Sequence, residues 1–147
     1  MAAALTLSVS ARAKDYSVKS PDSKITLNVS VNEDVRWSVI YDGKQIIDPS
    51  PVAMKLETLS LPGVKPVASK PKVTEVNTLI TPVVPHKNST VTDHYRELTI
   101  RFREGFSLIF RVYDDGVAYR FATSMKGEVT VMGETFGLNM PEGATSW

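Results

Sequence analysis

The stretch DHYRELTIRFREGFSLIFRVYDDGVAYRF, residues 93–121, decides the fold of this chain. Apolar residues alternate with polar ones over three successive runs within it. Because a period of two places successive side chains on opposite faces of a strand, each run has one face turned to a core. The stretch therefore predicts three consecutive β-strands. The apolar positions are Leu98, Ile100 and Phe102, then Phe106, Leu108, Phe110 and Val112, then Val117, Tyr119 and Phe121.

The first turn in this stretch follows from the rule that opposite residues of a hairpin share a face. A two-residue loop at 104–105 would set Phe102 against Ser107, an apolar residue against a polar one. A three-residue loop that ends at Gly105 instead pairs Phe102 with Phe106. It also puts the glycine where such loops need a left-handed residue. We therefore predict the three-residue loop.

The second turn, around 114–116, is less determined, because two features favour different loop lengths. Turn chemistry favours three residues with Gly116 last, whereas the alternation of core residues favours four. Ile109 and Tyr113 also make the other face of the middle strand partly apolar. A central strand that is covered on both sides would explain that pattern.

The rest of the chain reads as further short strands separated by turns. Alternating residues predict strands at 25–31 and 35–41, and an Asp-Gly pair at 42–43 is a strong signal for a tight hairpin turn. The two prolines within 48–51 are expected to end the next strand, since proline removes a ladder donor. A β-rich run at 128–132 predicts a late strand.

The predicted fold class is all-β, most simply an antiparallel β-sandwich, although the strand spacing also permits a barrel. No segment carries a helical stripe of apolar residues. Five of the nine prolines lie between residues 62 and 85, which excludes a regular helix there. At 147 residues and 42% hydrophobic content, the chain can bury the core of one domain, and nothing in its length requires two.

Composition excludes several classes of partner. Seventeen basic and sixteen acidic residues leave a net charge of +1, which gives no electrostatic reason to expect nucleic acid or an anionic membrane. The absence of cysteine excludes a disulfide framework and a thiolate metal site. No run approaches the roughly 18 apolar residues of a membrane span.

The N-terminus predicts the location of the protein. Residues 1–13, MAAALTLSVSARA, are small and apolar and end in an A-x-A pattern ahead of Lys14, although a basic n-region is missing. Such a segment is typical of the distal part of a secretory signal, and a disordered terminus is the alternative. We therefore expect a periplasmic or secreted protein whose folded domain covers 14–147.

Charged side chains with possible catalytic roles each have a more ordinary explanation. Asp114 and Asp115 are adjacent, and neighbouring strand residues point to opposite faces, so the pair suits a turn better than a catalytic dyad. His94 and His86 lack the further groups that a metal site or a general base requires. We predict no catalytic, cofactor-binding or metal-binding residue in this chain. Asn88-Ser89-Thr90 fits a glycosylation sequon, which matters only in a eukaryotic secretory path.

Two groups of side chains have a possible role in binding sugars or anions. The arginines of the central region lie close in sequence to acids that can pair with them, so a solvated face of mixed charge is the favoured interpretation. Aromatic rings could stack on sugars, but they are as often core residues. The arginines are Arg96, Arg101, Arg103, Arg111 and Arg120, and the aromatic residues are Trp37, Tyr95, Tyr119 and Trp147.

Two motifs carry a resemblance to a known family. DHYREL (93–98) and FRVYDDGVAYRF (110–121) together closely resemble the N-terminal domain of glycoside hydrolase family 97. The segments SPDSKITLNVSV (20–31), WSVIYDGKQIIDPSP (37–51) and TPVVPHK (81–87) fit the same family in the same order. The likeness covers roughly residues 14 to 147.

The resemblance implies a non-catalytic β-super-sandwich domain, expected here to be incomplete. Members of the family join such a domain to a catalytic (β/α)₈ barrel and act on α-linked oligosaccharides, as exo-α-glucosidases or α-galactosidases that use calcium. The catalytic carboxylates belong to the barrel. The chain alone is thus expected to be inactive, with the barrel as its partner and calcium bound elsewhere in the parent enzyme. The alternative is a free-standing carbohydrate-binding or adhesive β-sandwich.

Overall fold

A computed structural model describes residues 14–63, 65–84 and 87–145 of the chain. These residues form ten β-strands and no helix. The strands are β1 (Lys14–Lys19), β2 (Ile25–Val31), β3 (Val35–Tyr41), β4 (Lys44–Leu56), β5 (Ser60–Leu61), β6 (Lys72–Ile80), β7 (Val91–Arg101), β8 (Phe106–Val112), β9 (Val117–Thr123) and β10 (Val131–Phe136).

The strands form two antiparallel sheets that pack face to face. The first has the order β1-β2-β3-β4-β10, with the short β5 paired to β4, and the second has the order β6-β7-β8-β9. Strand β1 lies over β7, and β2 lies over β8. The predicted β-sandwich is therefore confirmed, and the barrel alternative is wrong. The described part of the chain holds no helix of the length and apolarity needed to cross a membrane.

The core lies between the sheets and consists of the alternating residues of the central strands. Leu27 and Val29 of β2 face it from one sheet, and Ile100, Leu108 and Phe110 from the other, each with at most 1% of its surface exposed. Full burial of a large apolar side chain contributes about 1.5–3 kcal/mol, so the alternation of the sequence accounts for the packing of the two sheets.

The structure confirms the predicted register of the β7–β8 hairpin. Leu98 lies opposite Phe110. The backbone N–H of Phe102 donates to the carbonyl of Phe106 at 2.9 Å, and the two rings stack with centroids 4.5 Å apart. Gly105 closes the three-residue loop with a φ of +82°. Both arguments for this loop, shared faces and a left-handed glycine, are thus satisfied together.

In the β8–β9 turn, the alternation of core residues predicted the correct length and turn chemistry did not. Val112 pairs with Val117, which leaves four residues between them. The N–H of Tyr113 donates to the carbonyl of Gly116 at 2.8 Å. Since Gly116 does not adopt a positive φ, the left-handed position assumed for a three-residue loop does not exist.

Strand β4 corrects the prediction that the prolines within 48–51 end a strand. It runs from Lys44 to Leu56 through both of them. The prolines lack N–H donors but keep their carbonyls, and the residues just after β10 use these: Gly137 N donates to Pro51 O and Asn139 Nδ2 to Pro49 O, each at 2.9 Å. The strand continues because proline can accept hydrogen bonds even where it cannot donate them.

The late strand also differs from its prediction at 128–132. Strand β10 covers Val131–Phe136 and pairs with the second half of β4. Its partner β4 ends at Leu56, directly opposite Val131, so residues before Val131 have no strand to extend. Residue preference alone therefore placed the strand too early.

Replacing Gly105 by valine tests the β7–β8 loop. We expect the free energy of unfolding to fall by about 1 kcal/mol or more, because a β-branched residue resists a positive φ. Chemical denaturation of the full chain measures the change. Gly116→Val is the matched control, since its φ is not positive and its Cβ would meet nothing within 4 Å. Equal stability of the two variants would refute the loop assignment.

Replacing Gly137 by alanine tests the contact between the end of β10 and β4. A Cβ at residue 137 would lie 2.4 Å from Cδ of Pro51, and the rigid proline ring cannot move aside alone. We expect a loss of about 1–3 kcal/mol, as for other overpacked sites. Gly133→Ala within β10 has open space around its Cβ and should be neutral or slightly stabilising. Similar denaturation midpoints for both variants would argue against this pairing of β10 with β4.

Candidate functional site

The acidic pair at Asp114 and Asp115 lies in the β8–β9 turn, as predicted. The Oδ1 atom of Asp114 accepts a hydrogen bond from the backbone N–H of Asp22 at 2.8 Å. This contact ties the turn to the β1–β2 turn of the other sheet. Asp22 in turn accepts bonds from the Ser20 hydroxyl and the Lys24 N–H, which lower the pKa of its carboxyl. Both carboxylates thus hold backbone in place.

His94 belongs to a surface cluster on β6 and β7. Its Nε2 lies 3.0 Å from Oε1 of Glu75, and Nε of Arg96 donates to Oε2 of the same carboxylate at 2.9 Å. The hydrogen bond with His94, followed by that with Arg96, lowers the pKa of Glu75. Arg96 also donates through Nη1 to the carbonyl of Ser20 at 3.0 Å, which links the two sheets.

Within the described ranges, no three histidine or acidic side chains come together as a metal site would require. The cluster at His94 contains one histidine and one carboxylate, held together with an arginine. His86 lies outside the described residues. These residues therefore do not fit a calcium ion, and we assign no metal to them.

The outward face of the second sheet carries a packed layer of side chains. Tyr95 faces away from the core, yet only 5% of its surface is exposed. The guanidinium carbon of Arg111 lies 4.4 Å from the centroid of its ring, and the ring of Tyr113 lies 5.1 Å away. Burial raises the pKa of the Tyr95 hydroxyl. A cation over an aromatic face contributes about 0.5–2 kcal/mol, the larger values when it is shielded from water.

Acidic residues complete this outward layer. Glu97 lies directly opposite Arg111 and accepts a hydrogen bond from its Nε at 2.9 Å, which raises the pKa of the arginine. The Tyr113 hydroxyl donates to Oδ1 of Asp93 at 3.3 Å. The layer therefore consists of the residues that alternate with the core in the two motifs that resemble the family. The partly apolar outward face predicted for the middle strand is confirmed.

Sequence reasoning treated the arginines as one solvated face, and the structure divides them. Arg111 pairs across strands with Glu97, one of the acids near the arginines in sequence, as predicted, whereas Arg96 pairs across strands with Glu75, which lies outside that region. Arg101, Arg103 and Arg120 form no salt bridge with the described residues. The sequence did not show that β6 lies beside β7. It therefore could not predict the pairing of Arg96 with Glu75, which is distant in sequence.

The predicted stacking aromatics are used in internal packing. Trp37 is buried, and its ring stacks on Phe136 with centroids 5.3 Å apart. Tyr119 stacks on the same ring at 4.9 Å and donates its hydroxyl to the carboxylate of Glu134. Burial, followed by this hydrogen bond, strongly raises the pKa of Tyr119. Trp147 lies outside the described residues.

An apolar cleft of about 650 Å³ lies between the first sheet and the β8–β9 turn, with Val117 at the start of β9 among its lining residues. Phe136 and Leu138 form part of its floor and remain 45% and 49% exposed, although Phe136 packs on core residues of the first sheet. The second sheet ends at β9, whose Tyr119 packs on Phe136 of β10, and no described strand lies beyond β9 in that sheet. We call this cleft the open side; its apolar lining includes Trp37, Val39, Ile47, Val117, Phe136 and Leu138.

Comparison with known proteins places these features in a family. The glycosyl-hydrolase 97 N-terminal family matches residues 18–147. A retaining α-galactosidase of Bacteroides thetaiotaomicron is 30% identical over 141 residues, which are 96% of this chain and 21% of that protein.

Solved structures agree with this match. A β-arabinopyranosidase is 30% identical with a TM-score of 0.76, over 88% of this chain and 22% of its own. A glycoside hydrolase family 97 enzyme from Pseudoalteromonas sp. strain K8, solved with panose, has a TM-score of 0.70 at 21% identity, over 81% of this chain and 19% of its own.

The chain spans about a fifth of the length of the relatives that it matches. The family match extends over nearly all of the chain and includes both central motifs and the open side. The resemblance of the motifs is thereby confirmed, and the chain belongs to the N-terminal domain family of glycoside hydrolase family 97.

Proposed function

We propose that this chain is the non-catalytic N-terminal domain of an exo-acting α-glycosidase and packs on that enzyme's catalytic barrel. The observation that carries the proposal is the family match over 18–147, which accounts for only about a fifth of each relative. The remaining four fifths of those proteins leave room for a separate catalytic domain.

The chemistry of the described carboxyl groups supports a non-catalytic role. A glycosidase needs a general acid with a raised pKa and a second carboxylate across the scissile bond. The carboxyl groups with a clear shift, Asp22 and Glu75, both have a lowered pKa. Asp114, the acid nearest to Asp22 in the turns, accepts a backbone hydrogen bond. Asp22 and Asp114 hold turns in place, and Glu75 pairs with His94 and Arg96 across β6 and β7.

An α-galactoside is the substrate class to test first, with α-glucosides second. The name of the Bacteroides thetaiotaomicron relative, a retaining α-galactosidase, supports this order. We further propose a periplasmic or secreted location, which the signal-like pattern of residues 1–13 supports. Calcium is proposed for the parent enzyme, bound by residues other than those described, since these offer no suitable cluster.

A free-standing sugar-binding sandwich has less support. Its predicted binding surface required exposed aromatic rings, but Trp37 and Tyr95 are buried. Tyr119 stacks on Phe136 rather than presenting a free face. Sugar recognition through ring stacking would therefore need other residues.

The proposal predicts that the isolated chain hydrolyses neither p-nitrophenyl α-galactoside nor p-nitrophenyl α-glucoside. The protein that joins it to a catalytic barrel should hydrolyse one of them, because the acid and base lie in the barrel. Release of p-nitrophenol by each purified protein measures this. Within the longer protein, Asp115→Asn should leave kcat unchanged, since Asp115 is an exposed turn residue.

Two results would count against the proposal. One is turnover by the isolated chain that survives purification and disappears with Asp114→Asn or Asp115→Asn. The other is saturable binding of a galactoside or glucoside by the isolated chain together with the absence of a catalytic domain from the longer protein. That second result would favour the free-standing sugar-binding alternative.

A further inference from the structure

We propose that six basic residues at one end of the sandwich form a binding surface for a linear acidic polysaccharide. We call this set the basic surface; it consists of Lys14, Lys65, Lys70, Lys72, Arg101 and Arg103. All six residues are exposed. The arrangement of these charges carries the inference, which holds with or without the proposed catalytic partner.

The segment 65–72, KPVASKPK, joins the two halves of the basic surface. On one side, Nζ of Lys14, at the start of the first sheet, donates to the carbonyl of Ala68 at 2.6 Å. On the other side, Ala68 forms an antiparallel bridge with Phe102, which lies between the two arginines of the set at the end of β7. Basic residues from both sheets therefore meet along this segment.

The charges of the basic surface are not neutralised within the described part of the chain. None of the six residues forms a salt bridge with a described residue. Three acids lie beside them: Asp15, Glu33, whose carbonyl accepts the N–H of Lys65 at 3.1 Å, and Glu104. Their carboxylates pair with none of the six. The surface thus keeps its positive charge, although the whole chain carries only +1.

Acidic residues collect in the turns at the other end of the sandwich. Asp114 accepts a hydrogen bond from the N–H of Asp22 in the β1–β2 turn, and the N–H of Asp42 donates to the carbonyl of Lys24 in that same turn. Asp115 follows in the β8–β9 turn. This separation of charge directs an anionic ligand to the basic surface and away from the opposite end.

The length of segment 65–72 favours a linear polyanion over a single ion. Eight residues span at most about 26–29 Å when extended, and the basic residues are spread from Lys65 to Lys72. Pro66 and Pro71 fix φ at two positions, which limits the freedom of the lysines between them. A cavity of about 200 Å³ lined by Lys14 and Lys65 can hold one anionic group. A chain of regularly spaced anionic groups can contact several of the six charges at once.

The residue types of the basic surface favour a polysaccharide over other polyanions. Single-stranded nucleic acid binds through bases that stack on exposed aromatic rings. The rings nearest to segment 65–72, those of Tyr16 and Phe102, pack against the core. Membrane-bound surfaces add a face of large apolar side chains, whereas Val67 is the one large apolar residue exposed in this segment. The carboxylates of an acidic polysaccharide need only cationic hydrogen-bond donors.

The test measures binding of the full chain to polygalacturonate, a linear polymer with one carboxylate in each sugar, by isothermal titration calorimetry. Neutral dextran is the control polymer. We expect saturable binding to polygalacturonate and none to dextran. The affinity should fall when the salt concentration is raised from about 20 to 200 mM, because salt screens exposed charges beyond about 10 Å at 0.1 M.

The variant Lys65→Gln/Lys70→Gln removes two charges of the basic surface. Its matched control is Lys19→Gln/Lys44→Gln, which changes two exposed lysines beside the acidic turns that also form no salt bridge with described residues. We expect each charge removed from the basic surface to weaken binding about twofold to fivefold, the range of exposed ion pairs. The control should bind like the unaltered chain, and all three proteins should have the same unfolding curves.

Three results would overturn the proposal. The first is no binding to polygalacturonate at the lower salt concentration. The second is an equal loss of affinity in both variants, which would indicate general attraction rather than a defined surface. The third is tighter binding to duplex DNA or to phosphatidylglycerol vesicles than to polygalacturonate at equal concentrations of anionic groups, which would favour a different polyanion.

Discussion

The pairing of β7 with β8 is the constraint on which the rest of the structure depends. The stacked rings of Phe102 and Phe106 hold this register, and the left-handed Gly105 closes it. Since a shift by one residue would move every core side chain to the outer face, the register determines both faces of the second sheet at once. The core on one side and the layer around Tyr95 on the other are consequences of one alignment.

The outward layer explains why the central motifs are more than a core pattern. Alternate residues fill the core, and the residues between them form the cation–aromatic and acid pairs of Tyr95, Arg111 and Glu97. A strand with apolar residues on one face only would leave the outward face to water. Here both faces are packed. More side chains of each motif are therefore held in place than the core between the two sheets alone would need.

The two sheets differ in width, and this asymmetry leaves apolar side chains exposed at one end of the first sheet. Strands β4 and β10 form one end of the first sheet, and Tyr119 of β9 covers Phe136 only in part, so Phe136 and Leu138 remain about half exposed. Exposed apolar patches of this kind usually mark interaction surfaces. A domain that packs on a larger enzyme is consistent with such a surface.

Local patterns of the sequence determined the fold class, the strands at 25–31 and 35–41, the tight turn at Asp42 and Gly43 with φ values of 47° and 78°, and the β7–β8 register. These features depend on residues close together in the chain, whose preferences add up locally. Only the tertiary structure decided that β4 passes through Pro51, since Gly137, just after β10, donates to the carbonyl of that proline. It also decided that Arg96 pairs with Glu75 and that the open side exists. Each of these depends on which distant strands become neighbours, and the energies of such contacts arise only when the sheets have formed.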